Sequence, residues 1–228
     1  MSQEKIWAYF QNEGAMSFDG AMPRYRFLIS KIRKITNSDS EILNIGVGNG
    51  GLEDLLLKDK FAITALDPDE TSINRLVEKG IKGKVGLIQS LPFNDNKFDV
   101  IVASEVLEHL DNNECKKALF EIHRVLKPNG YFIGTVPFHE NLLDNLTVCP
   151  HCGNQFHRWG HQQSFDKDKL SKLLEQQLEL TNISNRAFVV WGFHPRILIK
   201  SIIRWLLGRL GEQISSPHFY FEARKKNK

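Results

Sequence analysis

Hydrophobic and polar positions in this chain follow two periods in turn. Short apolar runs bounded by turn residues are typical of buried strands, and they occupy 42–46, 61–66, 84–88, 98–103 and 131–136. Apolar positions at helical spacing fill the intervals, from about residue 52, over 70–79 and over 113–126. Strands that alternate with helices build a parallel sheet with helices on both faces. The pattern therefore predicts an α/β fold.

Both ends of the chain add further elements. Residues 1–35 have helical spacing that Asp19-Gly20 and Pro23 divide into two helices, which we interpret as an N-terminal cap over 1–40. Beyond residue 165 the pattern predicts a helix over 168–177 capped by Asp166, a strand over 180–190, an amphipathic helix over 194–211 and a last strand over 219–223. We expect 1–228 to form a single domain.

Composition narrows the function classes. The 228 residues are 41% hydrophobic and 25% charged, which is ordinary for a globular protein, and a net charge of +3 does not favour a nucleic-acid partner. No apolar run follows a basic N-terminus, and no apolar stretch is long enough to span a bilayer. Three cysteines, two of them in C-x-x-C, indicate a reducing compartment. We expect a cytoplasmic protein that is at most peripheral to a membrane.

A glycine-rich turn follows the first predicted strand. Gly46, Gly48 and Gly50 give a G-x-G-x-G pattern between strand and helix, and Asp67 ends the second strand. Glycines let the backbone approach a ligand, while a carboxylate can accept two hydrogen bonds from a ribose diol. Strand, glycine turn and downstream acid together indicate a nucleoside-cofactor site. The alternative is a tight turn without a ligand.

The segment 145–165 interrupts the strand and helix pattern. Cys149, Cys152, His157 and His161 have the spacing C-x2-C-x4-H-x3-H, with His151 able to replace either histidine. Two thiolates and two imidazoles suit a tetrahedral, structural zinc site. The alternatives are a pair of reduced cysteines with a substrate-side histidine, and a redox pair, which lacks a thioredoxin-like context.

This insertion follows the fifth predicted strand and should border the substrate mouth, because ligands of open α/β sheets bind at the carboxyl ends of strands. Substrate-side candidates are therefore His139, Glu140, Arg158, Trp159 and His161. Either His139 or His161 is a candidate general base for a hydroxyl. Glu108 and His109, at a helix start, are better explained by a structural role.

The late amphipathic helix carries Arg196, Lys200 and Arg204 at i, i+4 and i+8 beside a broad apolar arc. One interpretation places 196–210 on a membrane surface with Trp205 at the interface. The other packs the helix on its own domain or on a second subunit in a homodimer.

Four landmarks carry a family resemblance: the turn 44–50, the acid in Leu66-Asp67-Pro68, the segment 90–110 and the segment 124–132. With them the chain resembles class I S-adenosylmethionine-dependent methyltransferases, and is similar to the small-molecule branch that includes ubiquinone-biosynthesis O-methyltransferases. The resemblance implies a Rossmann-like three-layer sandwich on a seven-stranded, mostly parallel sheet whose last strand is antiparallel. The Cys/His loop would be an insertion after the fifth strand.

The resemblance also implies roles for individual residues. Glycines 46, 48 and 50 would line the methionine and ribose, Asp67 would hold the ribose hydroxyls, and Pro68 would abut the adenine. Gln89 and Ser90 would flank the adenine. Ser104 and Glu105 would lie near the methionine end of the cofactor. Leu87 stands where the family usually has an acid for the adenine amino group, and we take Gln89 as its substitute.

The implied function is methyl transfer from S-adenosylmethionine to a small or carrier-linked acceptor, lipid- or glycan-linked, at oxygen by SN2 displacement. One alternative is a zinc-stabilised partner or scaffold protein that binds the cofactor without turnover. Others are a protein or RNA methyltransferase, or an enzyme that uses the cofactor for another reaction. Nucleic-acid methylation is not favoured, because the fourth strand ends in Ala103-Ser104-Glu105 instead of an Asn/Asp-Pro-Pro-aromatic motif.

Overall fold

The structure, a computed structural model, describes residues 3–13, 18, 20–37, 39–189, 195–209 and 217–226. The helices are α1 (Gln3–Asn12), α2 (Met22–Ile35), α3 (Gly51–Lys58), α4 (Glu70–Glu78), α5 (Asn112–Val125), α6 (Lys167–Leu174) and α7 (Pro195–Arg209). The strands are β1 (Glu41–Ile45), β2 (Ala62–Asp67), β3 (Lys82–Val85), β4 (Phe98–Ser104), β5 (Leu126–Pro137), β6 (Leu146–Val148), β7 (Gln155–His157), β8 (Leu178–Arg186) and β9 (His218–Lys225). The predicted ends of the last helix, at 194 and 211, lie outside the described residues.

Seven strands form one sheet in the order β3-β2-β1-β4-β5-β9-β8. The pairs from β3 to β5 are parallel, and β9 runs antiparallel to both β5 and β8. The predicted mostly parallel, seven-stranded α/β sheet with an antiparallel last strand is confirmed. The strand order changes direction between β1 and β4. In sheets of this type a ligand crevice opens at that point, outside the carboxyl ends of the strands.

Two apolar clusters pack on opposite faces of the sheet and make the fold three layers deep. On one face, Leu28 and Ile32 of α2 and Leu56 of α3 pack with β1 residues such as Ile42. On the other face, Leu119 of α5 and residues of α6 join a second cluster. The central strands are buried from both sides, which explains their continuous apolar sequences.

Several predicted boundaries differ from the structure: the helix expected over 168–177 is α6, and the strands expected over 180–190 and 219–223 are β8 and β9. The strand expected over 84–88 is β3, which begins and ends earlier because its register pairs Lys82 with Thr64 and Val85 with Asp67. The strand expected over 131–136 is β5, which begins earlier because Phe98 pairs with Leu126 and residues 127–130 form a bulge before Val100 pairs with Tyr131.

The insertion after β5 forms a small antiparallel hairpin of β6 and β7 before the chain enters α6. Asp166 caps α6 by accepting a hydrogen bond from the backbone N–H of Lys169, as its position predicted. Among the described helices, none combines the length and apolar character that crossing a membrane would require.

Candidate functional site

A cavity of about 1000 Å³ opens where β1, β2, β4 and β5 end. Hereafter it is the central cavity. Its floor is formed by the chain that follows each strand, and one side is covered by Trp7, Phe10 and Gln11 of α1. Residues of the insertion, Glu140 and His161 among them, form another side. The volume is at the upper end of small-molecule sites and accommodates a cofactor together with an acceptor.

The glycine turn lies against this cavity. Gly46 has φ +79°, and a Cβ there would stand 2.7 Å from Val106 Cγ2. Gly48 has φ +52°, and a Cβ there would meet Phe18 at 2.8 Å. Both glycines line the central cavity, whereas Gly50 does not; it caps α3 in the left-handed conformation. A side chain at Gly46 or Gly48 would be strained and would meet its neighbours.

Asp67, at the end of β2, is held in a fixed orientation. Its Oδ2 accepts hydrogen bonds from the backbone N–H of Val47 at 2.9 Å and from Gln11 Nε2 at 3.0 Å. Its Oδ1 accepts from the backbone N–H of Asp69 at 2.9 Å. Burial raises the pKa of Asp67, and these donors oppose the shift. The carboxylate therefore faces the central cavity with lone pairs left for further donors.

The segment after β3 forms the adjoining wall. Pro68, Leu87 and Gln89 line the central cavity, and the buried Oε1 of Gln89 has no hydrogen-bond partner among the described residues. An orphan amide oxygen in a cavity wall can accept a hydrogen bond from an amino group. Ser90, predicted beside Gln89, is exposed and lies outside the cavity lining.

A cluster of charges stands at the end of β4. Glu105 Oε2 lies 3.3 Å from His218 Nε2 and 3.9 Å from Arg24 Nη1. Burial would raise the pKa of Glu105, but His218 and Arg24 outweigh it and hold that pKa well below its usual range. Glu105 has φ 60°, a costly conformation for a residue with a side chain. Ser104 also lines the cavity and shares a hydrogen bond with Thr135.

Arg24 and His218 were missed by sequence analysis. They come from α2 and from the start of β9, 194 positions apart, and meet at 3.3 Å. Neither belongs to a local motif, so only the assembled sheet brings them to Glu105.

A buried carboxyl beneath the glycine turn should make stability depend on pH. Burial raises the pKa of Glu53 from 4.5 to about 7, against a hydrogen bond from Asn44. The folded state therefore favours the protonated form, and stability falls as pH rises from the unfolded value through the folded one. Relative to Glu53→Gln, the wild type should lose up to about 3 kcal/mol between about pH 5 and pH 8. Urea unfolding of both proteins across this range measures it; a constant difference would contradict the assignment.

The insertion places a histidine and a carboxylate together in the cavity wall. His161 Nδ1 contacts Glu140 Oε2, and Glu140 Oε1 also accepts a hydrogen bond from Asn145 Nδ2 at 3.0 Å. Burial would raise the pKa of Glu140, but the hydrogen bonds from His161 and Asn145 and the charges of His161 and His157 together outweigh burial and lower that pKa. Because an ionised carboxylate only accepts, Nδ1 of His161 carries the proton and Nε2 is the basic atom.

The structure does not bring the four residues of the predicted Cys2His2 zinc site together as one group. Among the described residues, the compact groups of three or more ligand side chains contain no cysteine, and His157 and His161 group instead with Glu140. His157 Nδ1 accepts a hydrogen bond from the backbone N–H of His161 at 3.1 Å. Cys149 and Cys152 are free thiols outside the central cavity. Backbone N–H groups of the turn lower the pKa of the Cys149 thiol.

Comparisons with known proteins agree with this geometry. Residues 43–134 match the methyltransferase domain family. A stretch of 118 residues is 29% identical to the ubiquinone biosynthesis O-methyltransferase of Rickettsia bellii, covering 48% of each chain. A solved S-adenosylmethionine-dependent methyltransferase from Methanosarcina mazei has the same fold, with TM-score 0.65 and 22% identity over 87% of this chain and 98% of its own. In sequence over residues 43–134, and in fold over most of its length, the chain is similar to class I S-adenosylmethionine-dependent methyltransferases.

This similarity does not fix the reaction. A stretch of 139 residues of this chain is 32% identical to the mitochondrial arginine-hydroxylase of Rattus norvegicus, covering 59% of this chain and 39% of the relative. The chain thus spans about half the length, or less, of these two curated relatives.

Of the other substrate-side candidates, two line the central cavity and one does not. His139 and Trp159 line the central cavity. His139 is exposed, with φ 47°, and Trp159 packs on Phe10 with ring centroids 4.7 Å apart. Arg158 is exposed and stacks on the ring of Trp159 without lining the cavity.

Glu108 is buried next to His109, which lines this wall. Burial raises the pKa of Glu108 well above its usual range and lowers the pKa of His109 to about 3, so burial favours the neutral form of each side chain. Trp7 Nε1 donates to His109 Nδ1 at 3.1 Å. His109 lines the central cavity, but its Nδ1 is engaged and its protonation is suppressed. These features are consistent with the predicted structural role.

Proposed function

We propose that this methyltransferase transfers the methyl group of S-adenosylmethionine to a hydroxyl oxygen of a small or carrier-linked acceptor. The observation that carries the proposal is that one cavity contains both the cofactor-type carboxylate Asp67 and a histidine, His161, paired with a carboxylate. The first suits a ribose diol, and the second suits removal of a proton from an acceptor.

The charges around the cavity fit the cofactor from end to end. A methionine moiety has an ammonium and a carboxylate, and Glu105 and Arg24 offer the complementary charges within one cluster. The unpartnered Oε1 of Glu105 supports an ammonium contact. At the other end, Pro68 and the free amide oxygen of Gln89 suit an adenine ring and its amino group.

The chemistry assigned to the chain is positioning and proton removal. The cofactor supplies an electrophilic methyl group on a sulfonium. His161 Nε2 takes the proton from the acceptor hydroxyl, whose oxygen then forms the new C–O bond as the C–S bond breaks. The electron pair of that bond stays on sulfur. Glu140 holds the ring of His161 and balances the charge that develops on it.

Two other functions compete with O-methylation: a different reaction on the same cofactor fold, and cofactor binding without turnover. The similarity to an arginine-hydroxylase supports a reaction other than methylation on the same cofactor fold. A partner or scaffold role without turnover would need the cofactor residues but not the Glu140–His161 pair. Methylation at oxygen is supported by that pair and by the name of the Rickettsia bellii relative.

The test combines binding with turnover. Calorimetry should detect S-adenosylmethionine binding to the purified chain. Mass spectrometry should then detect S-adenosylhomocysteine and a methylated product in a panel of phenols, catechols, polyprenyl-linked phenols and glycans. Binding without turnover across the panel would favour the scaffold role, and transfer to nitrogen or carbon would contradict O-methylation.

A further inference from the structure

Helix α7 turns its aliphatic side chains toward solvent. Leu198, Ile199, Ile202, Ile203 and Leu206 are 40–58% exposed. Their spacing of three and four residues places them next to one another on the helix. Five adjacent aliphatic side chains form a continuous apolar face, hereafter the α7 face, and such a face indicates an interaction surface.

The opposite side of α7 argues against simple packing on the domain. Ser201 is 4% exposed, so a small polar residue occupies the side that faces the protein. A helix that only covers its own domain buries its apolar arc and exposes its polar residues. In α7 the aliphatic arc is exposed and Ser201 is buried, so the interpretation that the helix packs its apolar arc on the domain is not supported.

Charge identifies the kind of partner. Lys200 and Arg204 are exposed beside the α7 face, and the sequence of α7 contains Arg196 and Arg209 but no acidic residue. A second copy meeting this face through a twofold axis would place two copies of α7, each with four cations and no acidic residue in its sequence, next to each other. An apolar face beside cations is instead complementary to anionic headgroups above acyl chains.

The position of α7 connects this surface to the site. It lies in sequence between β8 and β9, and Arg186 pairs with His218 where those strands meet. Pro217 and His218, where β9 begins, line the central cavity. The strand ends that precede and follow α7 in the sequence are therefore at the end of the sheet where the cavity opens.

We propose that α7 lies on an anionic membrane surface through the α7 face, with Lys200 and Arg204 contacting lipid headgroups. This inference does not rest on the proposed methyl transfer, because membrane binding is measured without cofactor or acceptor.

Flotation with lipid vesicles tests the proposal. At low salt the full chain should float with vesicles that contain phosphatidylglycerol and much less with pure phosphatidylcholine. The double variant Ile199→Glu/Ile203→Glu should lower the affinity for anionic vesicles by at least about tenfold, because two aliphatic groups no longer enter the interface. Lys200→Gln/Arg204→Gln should lower it by about thirtyfold at low salt and by less at high salt.

A control variant is Phe120→Glu, which replaces one exposed apolar side chain by glutamate on another helix, α5, where Phe120 is 58% exposed. It should float like the wild type. Equal S-adenosylmethionine affinity and melting temperature in all variants would show that the fold is intact. The proposal is overturned if the wild type does not float with anionic vesicles, or if the double glutamate variant floats equally well. A dimer in sedimentation velocity that the glutamate variant dissociates, without vesicle binding, would also overturn it.

Discussion

Asp67→Ala should weaken the binding of S-adenosylmethionine by at least about a hundredfold, because each hydrogen bond to a charged carboxylate contributes about 1.5–3 kcal/mol. The carboxylate is already oriented by the backbone N–H groups of Val47 and Asp69, so it requires little rearrangement before it accepts two hydroxyls. Titration calorimetry with the cofactor measures the change directly.

Two further variants make this result interpretable. Asp67→Asn keeps the side-chain shape and an acceptor for one of the two backbone N–H groups, so it should disturb the fold less than alanine does and bind with an intermediate affinity. Asp54→Ala removes an exposed carboxylate that pairs with Lys79 on the neighbouring helix, and it should bind as the wild type does. If Asp67→Asn and the wild type bind equally, Asp67 does not hold the ribose.

His161→Ala should lower kcat by about 10²–10⁴-fold, the range expected for a general base, while the affinity for the cofactor stays unchanged. Glu140→Gln should fall between the wild type and His161→Ala, because the amide can still contact Nδ1 but no longer carries the balancing charge. Single-turnover rates at saturating cofactor separate this loss from binding.

The matched control is His139→Ala, which removes the other candidate base from the same cavity. Its kcat should match the wild type, and added imidazole should restore part of the rate to His161→Ala. A large loss in His139→Ala with His161→Ala unaffected would move the assignment to His139. Equal rates in all three proteins would show that the acceptor needs no base.

Sequence reasoning succeeded where the signal was local. The first two strands, the glycine turn and Asp67 are close in sequence, and the backbone requirements of Gly46 and Gly48 show directly as glycine. The bulge in β5 could not be predicted, because proline and glycine are typical of turns and of bulges alike. Only the pairing with β4 distinguishes the two.

The rest of the site depends on contacts that spacing does not encode. Glu140 is 21 positions from His161. The spacing of the histidines alone does not show whether their side chains lie beside a thiolate or beside a carboxylate. The register of the β6–β7 hairpin decides which side chains surround the histidines, because it pairs His157 with Leu146 and brings the following loop back beside Asn145. The turn of Cys149 and Cys152 closes on itself without those histidines.

The hydrogen bond from Gln11 to Asp67 makes α1 an internal competitor for the cofactor. The side-chain amide of Gln11 donates to the Asp67 oxygen that a ribose hydroxyl would approach. The next residue of α1, Asn12, donates a hydrogen bond to Asp69 and so fixes the same end of the helix. Arrival of the cofactor and release of its product are therefore both expected to displace α1. The slow step of turnover can then be the movement of an N-terminal helix, so that Gln11→Ala would speed product exchange without touching the reacting atoms.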